Sequence, residues 1–181
     1  MINKTLIHNA EQQLITQCVH RDRRAQKQLY QLYAKRMYNV AYRILNDRGL
    51  AEDAIQEGFL AVFNGLSKFN QESSLETWMR RIMVNKAVQL LKKETRLKFS
   101  SEEVEVMDED EEIESTAWSV EDIKKGIRSM PLGYQTVVNL YLIEGFDHQE
   151  ISQILKISVS TSKSQYHRGR KLLQKYLKPL I

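Results

Sequence analysis

Cysteine, proline and glycine are scarce in this chain, and it has no long apolar run. Cys18 is its one cysteine, which excludes an intrachain disulfide and any metal site built on several thiolates. The four histidines, His8, His20, His148 and His167, are scattered without metal-ligand spacing. No apolar stretch approaches the roughly 20 residues that span a membrane, and the N-terminus has no apolar signal core. The expectation is a cytoplasmic protein with no membrane insertion. Nothing looks catalytic either. There is no Gly-rich phosphate loop, and Cys18 has no base beside it, His20 lying too near in sequence to face it. No enzyme, metal or cofactor is expected.

With seven Gly and two Pro in 181 residues, and Leu, Gln, Glu, Lys and Arg abundant, the composition favours helix throughout. The length suits one medium domain or two small ones. Charge favours two. The net +4 conceals 17 bases against 9 acids in residues 1–100, 11 acids and no base in 101–122, and 10 bases against 3 acids in 123–181. Two basic blocks flank an acidic one, and such blocks meet nucleic acid or acidic lipid.

Apolar spacing predicts a first helix over 11–19 and a second over 24–45, carrying Leu29, Tyr33, Met37, Val40, Ala41 and Ile44. The run Asn46-Asp47-Arg48-Gly49 breaks it. A third helix, 50–66, buries Ile55, Phe59, Val62, Phe63 and Leu66 and turns Glu52, Asp53, Gln56 and Glu57 outward. After a polar loop, 67–74, a fourth helix runs over 75–96 with Leu75, Trp78, Met79 and Ile82 inward. That makes a four-helix domain. Adjacent carboxylates repel over 100–116, where disorder or loose helix is expected. Helices follow at 123–130, ended before Pro131, and at 134–143, stopped by Gly145. The fold class is therefore all-α: two small helical domains joined by an acidic flexible linker.

The strongest local pattern is C-terminal. Asp147 with Glu150 resembles a capping box opening a helix to Leu155. Lys156-Ile157-Ser158 forms a turn, and Ser158 caps a last helix reaching Leu177. These are the lengths of a helix-turn-helix. The second helix begins small and polar, Ser160 to Gln165, so its end can approach a duplex closely, with Lys163 and Gln165 reaching base edges or phosphates. Arg168, Arg170 and Lys171 suit phosphate contacts. An ordinary helical hairpin with a solvated basic face is the alternative. The pattern alone does not separate a repressor, a response-regulator output domain and a sigma factor.

The whole arrangement narrows the choice. Residues 50–69, LAEDAIQEGFLAVFNGLSKF, resemble the second conserved region of the extracytoplasmic-function (ECF) sigma factors of bacterial RNA polymerase. Residues 76–85, ETWMRRIMVN, are similar to that family's promoter-melting, −10-reading helix, and residues 157–168, ISVSTSKSQYHR, to its −35-reading helix. The resemblance covers residues 24–97 and 123–178 in the family's order.

It implies a factor that binds core RNA polymerase and promoter DNA and directs promoter-specific transcription initiation. An anti-sigma factor is a candidate further partner. The implied domains are 1–98 for polymerase binding and −10 melting, 99–119 as acidic linker, and 120–181 as the −35-reading helix-turn-helix. Asp53, Gln56 and Glu57 would dock on the polymerase clamp. Asn70 and Gln71 would hold a flipped −10 base, Asn85 would contact a base, and Arg80, Arg81 and Lys86 would take phosphates. Phe69 either lines that pocket or packs beneath the loop, with packing favoured; for Trp78 a core position is favoured over a stacking platform. Ser160, Thr161, Lys163, Ser164, Gln165 and Arg168 map onto the −35-reading segment. The apolar helix 134–143 would help form the face meeting the polymerase flap. The linker would mimic nucleic acid near the RNA exit path, cover the basic faces, or simply solubilise. Three departures from the commoner pattern, Ser160, Ser162 and Gln165, bear on which −35 sequence is read. A dimeric activator or repressor and a protein-binding helical adaptor are the rival readings.

Overall fold

The computed structural model describes residues 4–95 and 118–178. The expected acidic linker lies outside them except for Trp118 and Ser119. Among the described residues every regular element is helical. The chain divides into two compact units, residues 1–90 and 91–181.

The N-terminal unit opens with α1 (Lys4–Val19) and α2 (Arg23–Leu45), continues through α3 (Arg48–Gly65) and a 3-10 turn (Leu66–Lys68), and runs into α4 (Leu75–Thr95). Its breaks are made by side chains rather than glycine. Asp22 caps α2 by accepting the N–H groups of Arg24 and Ala25. Asn46 adopts the left-handed conformation at the end of α2, with φ 49°, and Asp47 caps α3 through Leu50 N–H at 2.8 Å. Ser74 opens α4 by accepting Thr77 N–H at 3.2 Å. The core joins Leu14 and Cys18 to Leu29, Met37 and Ile44, to Ala54, Phe59 and Val62, and to Leu75, Met79, Met83 and Ala87. Each large side chain buried this way contributes roughly 1.5–3 kcal/mol. Burial raises the Cys18 thiol above its ordinary value, with Asp22 adding to the effect, so it behaves as a core side chain.

One expected face shifts. Leu75 and Met79 are buried, but Trp78 and Ile82 are only half-buried, and Met83, Val84, Ala87 and Val88 complete the inward stripe of α4. Trp78 instead covers the 3-10 turn, its indole against Gly65 and 5.2 Å from the Phe69 ring.

In the C-terminal unit Trp118, at the end of the expected linker, packs against the core cluster of Ile127, Met130, Val138, Leu173 and Leu177. Ser119 and Asp122 form a capping box that starts α5 (Val120–Arg128). Pro131 precedes α6 (Leu132–Val138), which passes into a π-helical stretch, Asn139–Ile143, rather than running straight to Ile143 as expected. Gly145, with φ 76°, closes it, and Phe146 N–H reaches back to Leu140 O at 3.0 Å. Then come α7 (His148–Leu155) and α8 (Val159–Leu177). Helix α8 packs on α5, α6 and α7. Gly169 permits this: a Cβ there would sit 2.5 Å from Val138 Cγ2.

Candidate nucleic-acid and polymerase interfaces

In the C-terminal unit the two helices of the motif are capped as expected. Asp147 and Glu150 exchange backbone and side-chain hydrogen bonds at the start of α7. Lys156 ends that helix in the left-handed conformation, φ 56°. Ser158 Oγ accepts Thr161 N–H at 2.9 Å and lies 2.8 Å from the hydroxyls of both Ser160 and Thr161. The first turn of α8 is thus a knot of hydroxyls. Ser160 and Lys163 are exposed, and Thr161, Ser164 and Arg168 are half-buried. Ser164 donates to Thr161 O at 3.0 Å.

Gln165 departs from expectation. It is 3% exposed, on the inner side of α8, so its side chain has no path to a base edge in this structure. Ser162, fully buried, faces inward as well and lies 2.9 Å from His148 Nδ1. His148 stacks on Tyr141 at 4.6 Å, and Tyr166 touches both rings, at 5.6 and 4.4 Å. Sequence reading passed over His148. The one hint in the sequence was Ser162, a hydroxyl where an apolar residue is the commoner choice; that His148 is its partner is set by the fold. From the same π stretch Tyr141, Leu142 and Ile143 present exposed apolar surface, within the helix 134–143 that was expected to be mostly core while helping to form a polymerase-facing surface.

In the N-terminal unit the loop after the 3-10 turn projects Asn70, Gln71 and Glu72 into solvent. Asn70 Oδ1 accepts Glu72 N–H at 3.4 Å. Gln71 takes φ 62° and donates to Gln12 Oε1 of α1 at 2.9 Å. Phe69 packs on Trp78 beneath the loop. On α4, Arg81 and Asn85 are exposed one turn apart. Arg80 is half-buried and lies 3.7 Å from Glu76, which also receives Arg36 at 2.6 Å. Glu11 accepts the Tyr33 hydroxyl at 3.0 Å; burial, reinforced by that bond, pushes the phenol up to about 12.

Asp53, Gln56 and Glu57 share one exposed face of α3. Two features there were not foreseen. Leu60, one turn beyond, is 65% exposed, and Tyr30 of α2 is exposed with its ring 4.6 Å from Phe59. An acidic face with apolar residues at its end offers a partner both charge and buried area. The second feature is an ion pair. Lys86, expected on phosphate, lies 3.4 Å from Glu57, expected on polymerase. Both ends are substantially exposed, so the pair is worth about 0–1 kcal/mol and opens easily. Among the described residues no cluster of His, Cys, Asp and Glu fits a metal ion, and no helix is long and apolar enough to cross a membrane.

Fold and site together define a helical protein with a helix-turn-helix of the DNA-reading kind. Comparison with known proteins carries this further. The family model for Sigma-70 region 2 matches residues 29–97, and that for Sigma-70, region 4 matches residues 121–173. The ECF RNA polymerase sigma factor SigE of Mycolicibacterium smegmatis is 30% identical over 83% of this chain, which spans 60% of that relative's length. SigW of Bacillus subtilis, also an ECF sigma factor, is 28% identical over 88% of this chain and 92% of its own. Among solved structures, the sigma factor RpoE of Bartonella quintana, in complex with the anti-sigma factor NepR, superposes with a TM-score of 0.56 at 22% identity, covering 84% of this chain and 96% of that one. CnrH, in complex with the cytosolic domain of CnrY, gives 0.53 at 20% identity over 92% and 96%. The chain belongs to the sigma-70 family, in its ECF subfamily.

Proposed function

We propose that this chain binds core RNA polymerase and directs it to specific promoters, where it helps open the DNA. One observation carries the reading: a capped helix-turn-helix with exposed Ser160 and Lys163 shares a chain with an acidic-apolar helix face and a polar, basic α4, in the family's order. Residues 120–181 read the −35 element through Ser160, Thr161, Lys163 and Ser164, and Arg168 holds phosphate. Gln165, being buried, supports α8 from within. Residues 1–98 read the −10 element, with Asn70 and Gln71 on a flipped base, Asn85 on a neighbouring base, and Arg80, Arg81 and Lys86 on the backbone. Asp53, Gln56, Glu57 and Leu60 dock on the polymerase.

RNA synthesis itself stays with the polymerase; this chain adds specificity and no catalytic group. It works in the cytoplasm beside that enzyme. An anti-sigma factor is a fitting regulator, because the Bartonella structure shows such a protein on a chain of this fold. The test is to add the purified chain to sigma-free core polymerase and map transcripts from genomic fragments. Specific start sites that K163A weakens are expected. Stable DNA binding without core, and no specific initiation with it, would instead make the chain an activator or repressor.

A further inference from the structure

His148 is the first residue of α7, and its ring is enclosed from three sides. Tyr141 stacks on it from the π-helical stretch, Tyr166 meets it from α8, and its Nδ1 lies 2.9 Å from Ser162 Oγ. Ser162 is fully buried and sits between Thr161 and Lys163 in the first turns of α8. An apolar contact at that point would tolerate rotation of the helix about its axis. A hydrogen bond is directional and does not. Successive α8 side chains are set 100° apart, so whatever fixes Ser162 inward also fixes where Ser160 and Lys163 point. A roll of about 10° at a radius of about 6 Å carries a side-chain tip by about 1 Å, enough to spoil a hydrogen bond to a base edge.

We propose that His148 is a positioning residue for base reading: bonded to Ser162 and braced by Tyr141 and Tyr166, it sets the roll of α8 that presents Ser160 and Lys163. This rests on the −35 reading given above. Tyr141 ties the same ring to the exposed strip Tyr141–Ile143, so the brace is built from the π stretch as well as from the two helices of the motif.

The experiment uses holoenzyme reconstituted from core polymerase and the full chain. Affinity is measured over promoters carrying single-base changes through the −35 element. The readout is the profile of base preference, which a partly unfolded unit weakens uniformly but does not redistribute. H148F keeps an aromatic ring in the stack and removes the polar atom. H148N keeps a polar atom close to the Nδ1 position. H148F is expected to flatten preference at the bases nearest Ser160 and Lys163 by about fivefold, the scale of one net hydrogen bond, and H148N to restore most of it. S162A removes the partner instead, with little risk to folding. It should flatten the same positions, and the H148F/S162A double variant should be no worse than either single one. A wild-type profile for both H148F and S162A, or losses that simply add, overturns the inference. K163A is the control: if it too leaves the profile unchanged, the −35 reading itself has failed and the inference with it.

Discussion

Ser158 holds three groups of α8 at once: the N–H of Thr161 and the hydroxyls of Ser160 and Thr161. Removing an N-cap hydroxyl costs about 1 kcal/mol, so S158A should lower unfolding stability by about that amount in urea titration. S158D should restore the cap and suit the helix dipole, yet weaken DNA binding by placing a carboxylate at the DNA-facing end. Stability and affinity would then move in opposite directions. The caps were legible in the sequence because they rest on local chemistry, Ser158 and Thr161, Asp147 and Glu150. Gln165 was not, because whether a polar side chain on a basic helix faces out or in depends on neighbours distant in sequence. His148 shows the same dependence, and it has a pH consequence. Burial, with Lys163 second, holds its imidazole below the ordinary value of 6.5, while Asp147 opposes. The folded unit therefore binds fewer protons than the unfolded chain. The stability that the neutral ring contributes is complete above 6.5 and is lost as pH falls through 6.5 toward the lower folded value. Between about pH 7.5 and about pH 5.5, the wild type should lose more in its urea midpoint than H148N, which does not titrate there. Equal losses would remove His148 as the source.

At the scale of elements, two glycines make opposite predictions. A Cβ at Gly169 would meet Val138 Cγ2 at 2.5 Å, and Val138 is fully buried and β-branched, so it has no alternative rotamer to retreat into. G169A should push α8 from α6 and cost about 1–3 kcal/mol. At Gly58 the obstacle is Met83 Cε and Sδ, at 2.5 and 2.7 Å, the flexible end of a side chain that repacks readily. There the helix-propensity gain of about 1 kcal/mol for Gly to Ala offsets the displacement, and G58A should come out near neutral by thermal denaturation. A cost at Gly58 matching that at Gly169 would refute the distinction. Helices of this length announce themselves through apolar spacing, and the boundaries of α2, α4, α7 and α8 lay within a residue or two of expectation. The inward stripe of α4 was harder. Trp78 and Ile82 share helical spacing with true core positions, but Met83 and Ala87 occupy the centre, and hydrophobicity does not rank one apolar face above an overlapping one. The π stretch left no sequence signal. Within it Leu140 is buried while Tyr141, Leu142 and Ile143 are exposed, a division that apolar spacing does not announce.

The charge layout operates at the scale of the whole molecule. On the function proposed above, two basic blocks separated by 11 acids and no base over 101–122 would make two nucleic-acid contacts on one chain, each weak by itself and each sensitive to salt. Holding both on one polymerase makes the second contact intramolecular, which multiplies affinity by about 10²–10⁴ when the geometry fits and by nothing when it does not. Spacing between the −35 and −10 elements should therefore matter as much as their sequences. Inserting about half a helical turn of DNA, roughly 5 base pairs, moves the −35 element to the opposite side of the duplex while leaving the −10 contacts in place. Specific initiation should fall by about 10². On that altered template K163A should then have no further effect, whereas on the native spacing it should weaken initiation, most on promoters that carry the −35 bases Lys163 reads. If K163A weakened both templates equally, Lys163 would be acting through non-specific attraction to DNA, and the two-contact account of this chain would fail while its fold and family stood.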